Sequence, residues 1–168
     1  KNGSSFPSHK NSKRYSQIFE YMFILTKGEI KTTNLIKDKK NRWAGYSNFG
    51  SPSCRKTNGE IKKTNSFIVS DYGYRNNIWR INGGKGYSTK DNEAFNHPAI
   101  FPEDLVKGHI YSWSNEEDLI YDCFMGSGTT AKMAHLQKRN WIGSEISKEY
   151  TELANKRLEP YLTQTTLF

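Results

Sequence analysis

The chain has 168 residues, 35% of them hydrophobic and 14% aromatic, and a formal charge of +8. That length fits one domain with a sizeable core, and no stretch approaches the roughly 20 apolar residues of a membrane span, so a membrane partner is not expected. Two distant cysteines, Cys54 and Cys123, and an opening Lys1–Ser5 without a signal-peptide core predict a cytoplasmic setting in which both thiols pack as small, half-buried hydrophobes.

The charge is uneven. Residues 1–63 carry 14 Lys/Arg against 4 Asp/Glu, and residues 64–168 carry 11 against 13, so the two parts hold +10 and −2. A basic first third beside a slightly acidic remainder points to a polyanion docked on one part of the molecule.

In chain order, residues 1–16 read as a polar loop. Ile18–Thr26 is a nearly continuous apolar run closed by Lys27-Gly28, which predicts a buried strand and a turn. Residues 29–66 are charged and show no sustained period. Ser66–Ser70 and the alternating Asn77–Ile81 are candidate short strands, and 85–96 is a polar loop. Pro102, followed by Glu103 and Asp104, predicts a helix start, with Leu105, Val106, Ile110 and Trp113 on its apolar face. Asp118–Asp122 predicts a strand, Ser127–Arg139 a helix, Asn140–Glu145 a second strand and Ser147–Leu158 a second helix, with Ser147 as N-cap. This alternation is a βαβα unit with a parallel sheet. Trp113 and Trp141, on predicted elements, are read as packing residues.

The run Asp122-Cys123-Phe124-Met125-Gly126-Ser127-Gly128-Thr129-Thr130 therefore sits where a strand ends and a helix opens. Ligands bind at this position in parallel sheets. Gly126 and Gly128 allow close backbone approach, helix-start N–H groups attract an anion, and Ser127, Thr129 and Thr130 add hydroxyls. Three ligand types compete. A phosphate loop needs a Lys ahead of the Ser/Thr, yet Gly128 is followed directly by Thr129. A dinucleotide fingerprint needs GxGxxG, and Ala131 stands in place of its last glycine. The third is a nucleoside with a small anionic tail. Glu145, 19 positions beyond Gly126, lies where an acid grips ribose hydroxyls, and Ile146 beside it could pack on adenine.

His97-Pro98-Ala99-Ile100-Phe101-Pro102, the glycine run and Ile142-Gly143-Ser144-Glu145-Ile146 resemble the cofactor half of the amino-directed DNA methyltransferases, which modify adenine N6 or cytosine N4. The motif order resembles the permuted beta group, with Cys123 where the family usually has proline. Tyr21–Leu25 with Lys27-Gly28 resembles a family segment near the target-base pocket. The resemblance implies a Rossmann-like α/β parallel sheet, incomplete, with an irregular target-recognition insert. The implied division is 1–28 as the end of a catalytic subdomain, 29–96 as the recognition region and 97–168 as the S-adenosylmethionine subdomain. It implies S-adenosylmethionine as cofactor. The turn around Phe101 and the backbone and hydroxyls of Gly126, Ser127, Gly128 and Thr129 would hold its methionine end, with Asp122 near its ammonium and Glu145 on the ribose; Phe124 and Ile146 are further candidate cofactor-binding residues. His97 is read as a turn residue bonded to backbone, without a catalytic role.

The family's catalytic [DNS]PP[YFW] turn is not in this sequence. The prolines are Pro7, Pro52, Pro98, Pro102 and Pro160, and no two are adjacent. In the permuted order that motif is expected upstream of residue 1, consistent with a truncated start that lacks methionine, so no catalytic residue is assigned. The implied partner is double-stranded DNA, with a cognate restriction endonuclease as a candidate second partner. Lys37, Lys39, Lys40, Arg42, Arg55, Lys56, Lys62 and Lys63, among Trp43, Tyr46 and Phe49, are candidate phosphate and base contacts, joined by Arg75 and Arg80. No metal site is expected. The rival readings are a non-catalytic DNA-binding remnant and another nucleotide-binding Rossmann enzyme.

Overall fold

The computed structural model describes residues 19–47, 53–63 and 67–163. It forms two compact units, Leu35–Asn77 on its own, and Lys1–Asn34 together with Ile78–Phe168. No helix among the described residues is long and apolar enough to cross a membrane.

The 35–77 unit is built from two short antiparallel pairs. Strand β1, Lys37–Lys40, pairs with β4, Tyr72–Tyr74, with a register shift between Lys37 and Lys39. Strand β2, Ser53–Arg55, pairs with β3, Ile61–Lys63. Every residue of β1, β2 and β3 is exposed, and two-stranded ribbons of this kind are marginally stable alone. Side-chain and backbone bonds beyond the ladders therefore count. Asn41 Nδ2 donates to Ser70 O at 2.8 Å, Gly45 N donates to Val69 O, and Val69 N donates to Tyr46 O.

The other unit holds the helices. Helix α1 is Glu103–Trp113, preceded by Pro102 in extended backbone with Glu103 and Asp104 in its first turn. Strand β5, Leu119–Asp122, leads through the glycine turn into α2, Thr129–Leu136. Strand β6, Asn140–Gly143, lies parallel to β5 with Ile120 opposite Trp141 and Asp122 opposite Gly143. Helix α3, Lys148–Leu162, follows, and Ser147 Oγ accepts from Tyr150 N as its cap. The expected β-α-β-α order is thus present as a mixed α/β arrangement. One apolar cluster joins Val106 and Ile110 of α1 to Met133 and Ala134 of α2, with Ile120 and Trp141 packed against it. A second joins Met125, Ala131 and Leu158, again with Trp141. Trp141 is therefore a packing residue, as its position on a strand predicts.

Several expectations are corrected. Residues 19–26 form no strand, and Tyr21, Phe23 and Leu25 are largely exposed. The apolar content of that run is right for a strand, but no described strand lies alongside to complete its hydrogen-bond ladder. Ser66–Ser70 forms no strand among its described residues: Ile68 makes an isolated bridge to Ser47, beside the Val69 and Ser70 bonds given above. Asn77–Ile81 is not a strand; Trp79 instead stacks on His109, with ring centroids 4.8 Å apart. The polar segment 85–96 contains a 3-10 turn, Asn92–Asn96, and buries Ser88, Thr89 and Ala94. Helix α2 ends three residues early because Lys138 adopts φ 59° and Arg139 turns back, its Nη1 donating to Gln137 O. Helix α3 runs on through Pro160. Cys54 and Cys123 are both exposed rather than half-buried. The expected loop 1–16 and Phe49 lie outside the described residues.

Gly128 shows how tightly the turn packs on α3. Its φ is 78°, and a Cβ there would lie 3.1 Å from Ala154 Cβ. Gly128→Ala is expected to destabilise the fold by about 1–3 kcal/mol through left-handed strain and crowding, measured as a shift in urea midpoint. A midpoint equal to wild type would contradict this packing.

Candidate functional site

The tips of β5 and β6 are tied by main-chain bonds. Ser144 N donates to Asp122 O at 3.0 Å, and Met125 N donates to Ser144 O at 3.0 Å. Glu145 completes the link. Its Oε2 accepts from Gly126 N at 2.8 Å and its Oε1 accepts from Ser147 N at 2.9 Å. These N–H groups, Ser147 first and Gly126 second, hold the Glu145 carboxyl below its ordinary value, so it is ionised at neutral pH. A carboxylate has about four acceptor positions, and each oxygen here gives one to backbone, which leaves capacity on both for two hydroxyl donors.

The neighbours of this carboxylate are apolar and aromatic. Phe124 is 85% exposed and Ile146 fully exposed, so the lip of the strand tips offers apolar surface to a flat ring. Phe101 is half-exposed. The His97 ring lies against Gly126, its Nε2 3.1 Å from where a Cβ would stand, and packs 4.4 Å from the Tyr150 ring. Ala99 N donates to His97 Nδ1 at 3.2 Å, the backbone bond expected for a turn residue. Asp122 faces inward to its own turn, accepting from Phe124 N at 2.9 Å and from the Thr130 hydroxyl.

Beneath the turn the arrangement is charged. Ser127 and Thr129 are buried, and their side chains meet Arg157, whose side chain is 1% exposed. Arg157 Nη1 donates to Thr129 Oγ1 at 2.9 Å and to Ser127 O at 3.0 Å. Its Nε donates to Asp91 Oδ2 at 2.7 Å and its Nη2 to Glu103 Oε1 at 2.6 Å. Lys132 Nζ reaches the same two carboxylates, each at 2.8 Å, and Tyr161 O–H donates to Asp91 Oδ1 at 3.2 Å. Burial works to raise the Asp91 pKa, but hydrogen bonds from Lys132 and Arg157 outweigh it and hold the carboxyl low. Burial likewise works to lower the Lys132 pKa, and its bonds to Asp91 and Glu103 outweigh it and hold the ammonium high.

The basic candidates divide between the units. Lys39 and Lys40 lie on β1, Arg55 on β2, and Lys62 and Lys63 on β3, all exposed. Arg42 lies over the Trp43 ring, 5.3 Å from its centroid. The pleat puts Arg55 and Lys63 on one face of the hairpin and Lys62 on the other, since Arg55 pairs with Ile61 and Cys54 with Lys62. Arg75 is committed to Asp38, with Nε to Oδ2 at 2.8 Å, and Lys56 to Glu60 at 2.8 Å. Residues 35–77 carry nine Lys/Arg against three Asp/Glu, so +6. Arg80 is exposed and belongs to the other unit. Among the described residues no group of His, Cys, Asp and Glu is arranged to hold a metal.

Sequence reading missed the buried charges. Arg157 sits beside Lys156 and reads as a solvated charge, yet Ala154, Arg157 and Leu158, at i, i+3 and i+4, are the buried stripe of α3. That spacing is the signal that could have found it.

A parallel strand pair with a glycine turn after one strand and an ionised acid after the next makes this an α/β protein whose candidate site lies at the carboxyl ends of parallel strands, where such sheets bind ligands. A family model for DNA methylases (N6_N4_Mtase) matches residues 1–156, and the chain belongs to that family. It is 53% identical to the orphan methyltransferase M.BamHII of Bacillus amyloliquefaciens over 163 residues, covering 96% of this chain and 60% of that protein. It is 29% identical to the Type II methyltransferase M.BglI of Bacillus subtilis over 153 residues, covering 91% of this chain and 34% of that one. The chain thus spans 60% and 34% of the length of these two relatives. Against the crystal structure of the M1.HpyAVI–SAM complex the TM-score is 0.39, at 31% identity over 52% of this chain and 48% of that one.

The buried charges predict a pH dependence with two limbs. Asp91 has a lowered folded pKa, so its contribution is full above the ordinary value of 3.8 and is lost as pH falls through the lower folded value. Lys132 has a raised one, so its contribution is full below 10.5 and is lost as pH rises through the higher folded value. Urea unfolding across pH should therefore show the stability gap between wild type and Asp91→Asn closing in acid and the gap between wild type and Lys132→Gln closing in strong alkali. Gaps constant across pH would contradict this.

Proposed function

We propose that this chain is the cofactor-binding and DNA-recognition portion of an S-adenosylmethionine-dependent DNA methyltransferase directed at an exocyclic base amine. The observation that carries the reading is Glu145, an ionised acid with acceptor capacity on both oxygens, at the strand tip beside the glycine turn. The diol of the cofactor's ribose supplies two donors that match it. Phe124 and Ile146 provide apolar surface for adenine, and the Gly126–Thr129 main chain with Phe101 is the support for the methionine end; Asp122, bonded to Phe124 N and the Thr130 hydroxyl, would meet the ammonium through its remaining acceptor positions. The cofactor would supply a sulfonium methyl; what the chain's residues do is bind and orient it. The proposed architecture is a Rossmann-like parallel sheet.

The acceptor base is proposed as adenine N6 ahead of cytosine N4, on family resemblance alone. Methyl transfer to such an amine needs acceptors for its hydrogens and a stacking aromatic, and the five separated prolines of this sequence form no PP[YFW] turn. We propose that the chain by itself binds cofactor weakly and does not methylate. The 29–96 region is proposed as the DNA-reading part, its phosphate contacts drawn from Lys39, Lys40, Arg42, Arg55, Lys62, Lys63 and Arg80. Arg75, paired with Asp38, is proposed mainly as a support for β1. The proposed setting is cytoplasmic, with double-stranded DNA as partner and a cognate endonuclease as a candidate one.

Two experiments test this. S-adenosylmethionine at 100 times its Kd should stabilise the chain by about 2.7 kcal/mol, NAD should not, and Glu145→Ala should lose the shift while staying folded. Stabilisation by NAD instead would overturn the cofactor assignment, and methyl incorporation into DNA by this chain alone would overturn its proposed inactivity. For DNA, converting Lys39, Lys40, Lys62 and Lys63 to Gln should flatten the slope of log K against log salt by up to about 0.9 per lost phosphate contact. A slope identical to wild type would exclude this surface.

A further inference from the structure

We infer that Arg157, on α3, is a positioning residue that sets the shape of the glycine turn for the methionine end of the cofactor. This inference rests on the proposed cofactor reading. The guanidinium has five N–H donors in a rigid plane, and its bonds occupy all three nitrogens. Nε serves Asp91, Nη1 serves Ser127 O and Thr129 Oγ1, and Nη2 serves Glu103 and Thr89 Oγ1. The bond to Ser127 O has a specific consequence. The peptide linking Ser127 to Gly128 is planar, so its carbonyl and the Gly128 N–H point to opposite edges. Arg157 holds the carbonyl edge, and the Gly128 N–H closes on Met125 O at 2.9 Å. Both edges of one peptide plane are fixed, in a turn whose glycine has φ 78°. Thr129, the first residue of α2, is held by its hydroxyl from the same nitrogen.

Lys132 makes a useful contrast. Its side chain bonds the same carboxylates, Asp91 and Glu103, and among the described residues makes no bond to the turn, which Lys132 meets through its helical backbone N–H to Gly128 O at 3.0 Å. Both cations stabilise the cluster, and of the two side chains only that of Arg157 extends from it to the backbone of the turn. A lysine at 157 has one nitrogen and cannot serve the carboxylates and the two turn oxygens in the same geometry.

The test compares wild type with Arg157→Lys, Arg157→Met and Lys132→Gln in the full chain. Binding of S-adenosylmethionine and of 5′-methylthioadenosine, which keeps the nucleoside and lacks the amino-acid tail, is read by calorimetry. Amide hydrogen exchange at Gly128 and Thr129 is read without ligand. Arg157→Lys should lose about tenfold in affinity for S-adenosylmethionine, keep its affinity for methylthioadenosine within about twofold, and speed exchange at 128–129 with β5 and β6 unchanged. Arg157→Met should exceed it in each effect. Lys132→Gln should lower the melting temperature and leave the ratio of the two affinities unchanged. Equal losses for both ligands, or exchange at the turn unaltered in either Arg157 variant, would overturn the positioning role. If wild type binds neither ligand, the cofactor reading and the ligand part of this inference fall together, while the exchange arm still decides whether Arg157 orders the turn.

Discussion

The bond from Gly126 N–H to the Glu145 carboxylate, 2.8 Å long, is the constraint around which the candidate site is organised. It joins the turn that follows β5 to the residue just past the tip of β6, and it works only because those strands are parallel neighbours with Asp122 opposite Gly143. A backbone N–H is aimed at one oxygen, the Ser147 N–H at the other, and the charge on the acid is held in place by both. An acid oriented in this way is ordered before any ligand arrives, which lowers the conformational cost of binding. The turn that supplies Gly126 is shaped from the other side by Arg157. One charged group thus lies at the open lip and another beneath it, and the glycine turn is suspended between them.

The buried cluster has its own logic. Two buried cations and two part-buried carboxylates share one site, in which the loss of any one partner leaves a charge uncompensated. Asp91 and Glu103 come from segments 66 and 54 residues before Arg157. The cluster therefore ties the segment around Asp91, the start of α1, the turn and α3 into one piece. The 35–77 unit is built differently. Its short exposed ribbons bury little, and its lysines and arginines outnumber its acids by six. Rigid support is concentrated in one unit and cationic surface in the other.

The sequence made the β-α-β-α core legible because its signals are local. Ser147 three residues before Tyr150, Pro102 before two acids, and a glycine turn between an apolar strand and a helix each state their conformation within a few residues. What was not legible depends on distant partners. Lys37–Lys40 has none of the β-branched or aromatic residues that mark a strand, and becomes one by pairing with Tyr72–Tyr74 more than thirty positions away. Ile18–Thr26 has the right composition, yet its described residues make no ladder. Asp91 reads as one acid in a polar loop until Lys132 and Arg157 are placed beside it. At the site itself, the glycine turn and Glu145 were legible from spacing. The inward engagement of the Ser127 and Thr129 oxygens was not, because it depends on a residue of α3.

The most direct test of the account is a titration of the isotope-labelled chain with S-adenosylmethionine, following backbone amide resonances. The account predicts saturable shifts centred on Phe124–Gly128 and Glu145–Ser147, the two neighbouring strand tips. Absence of shifts there, or shifts centred elsewhere in the fold, would contradict it.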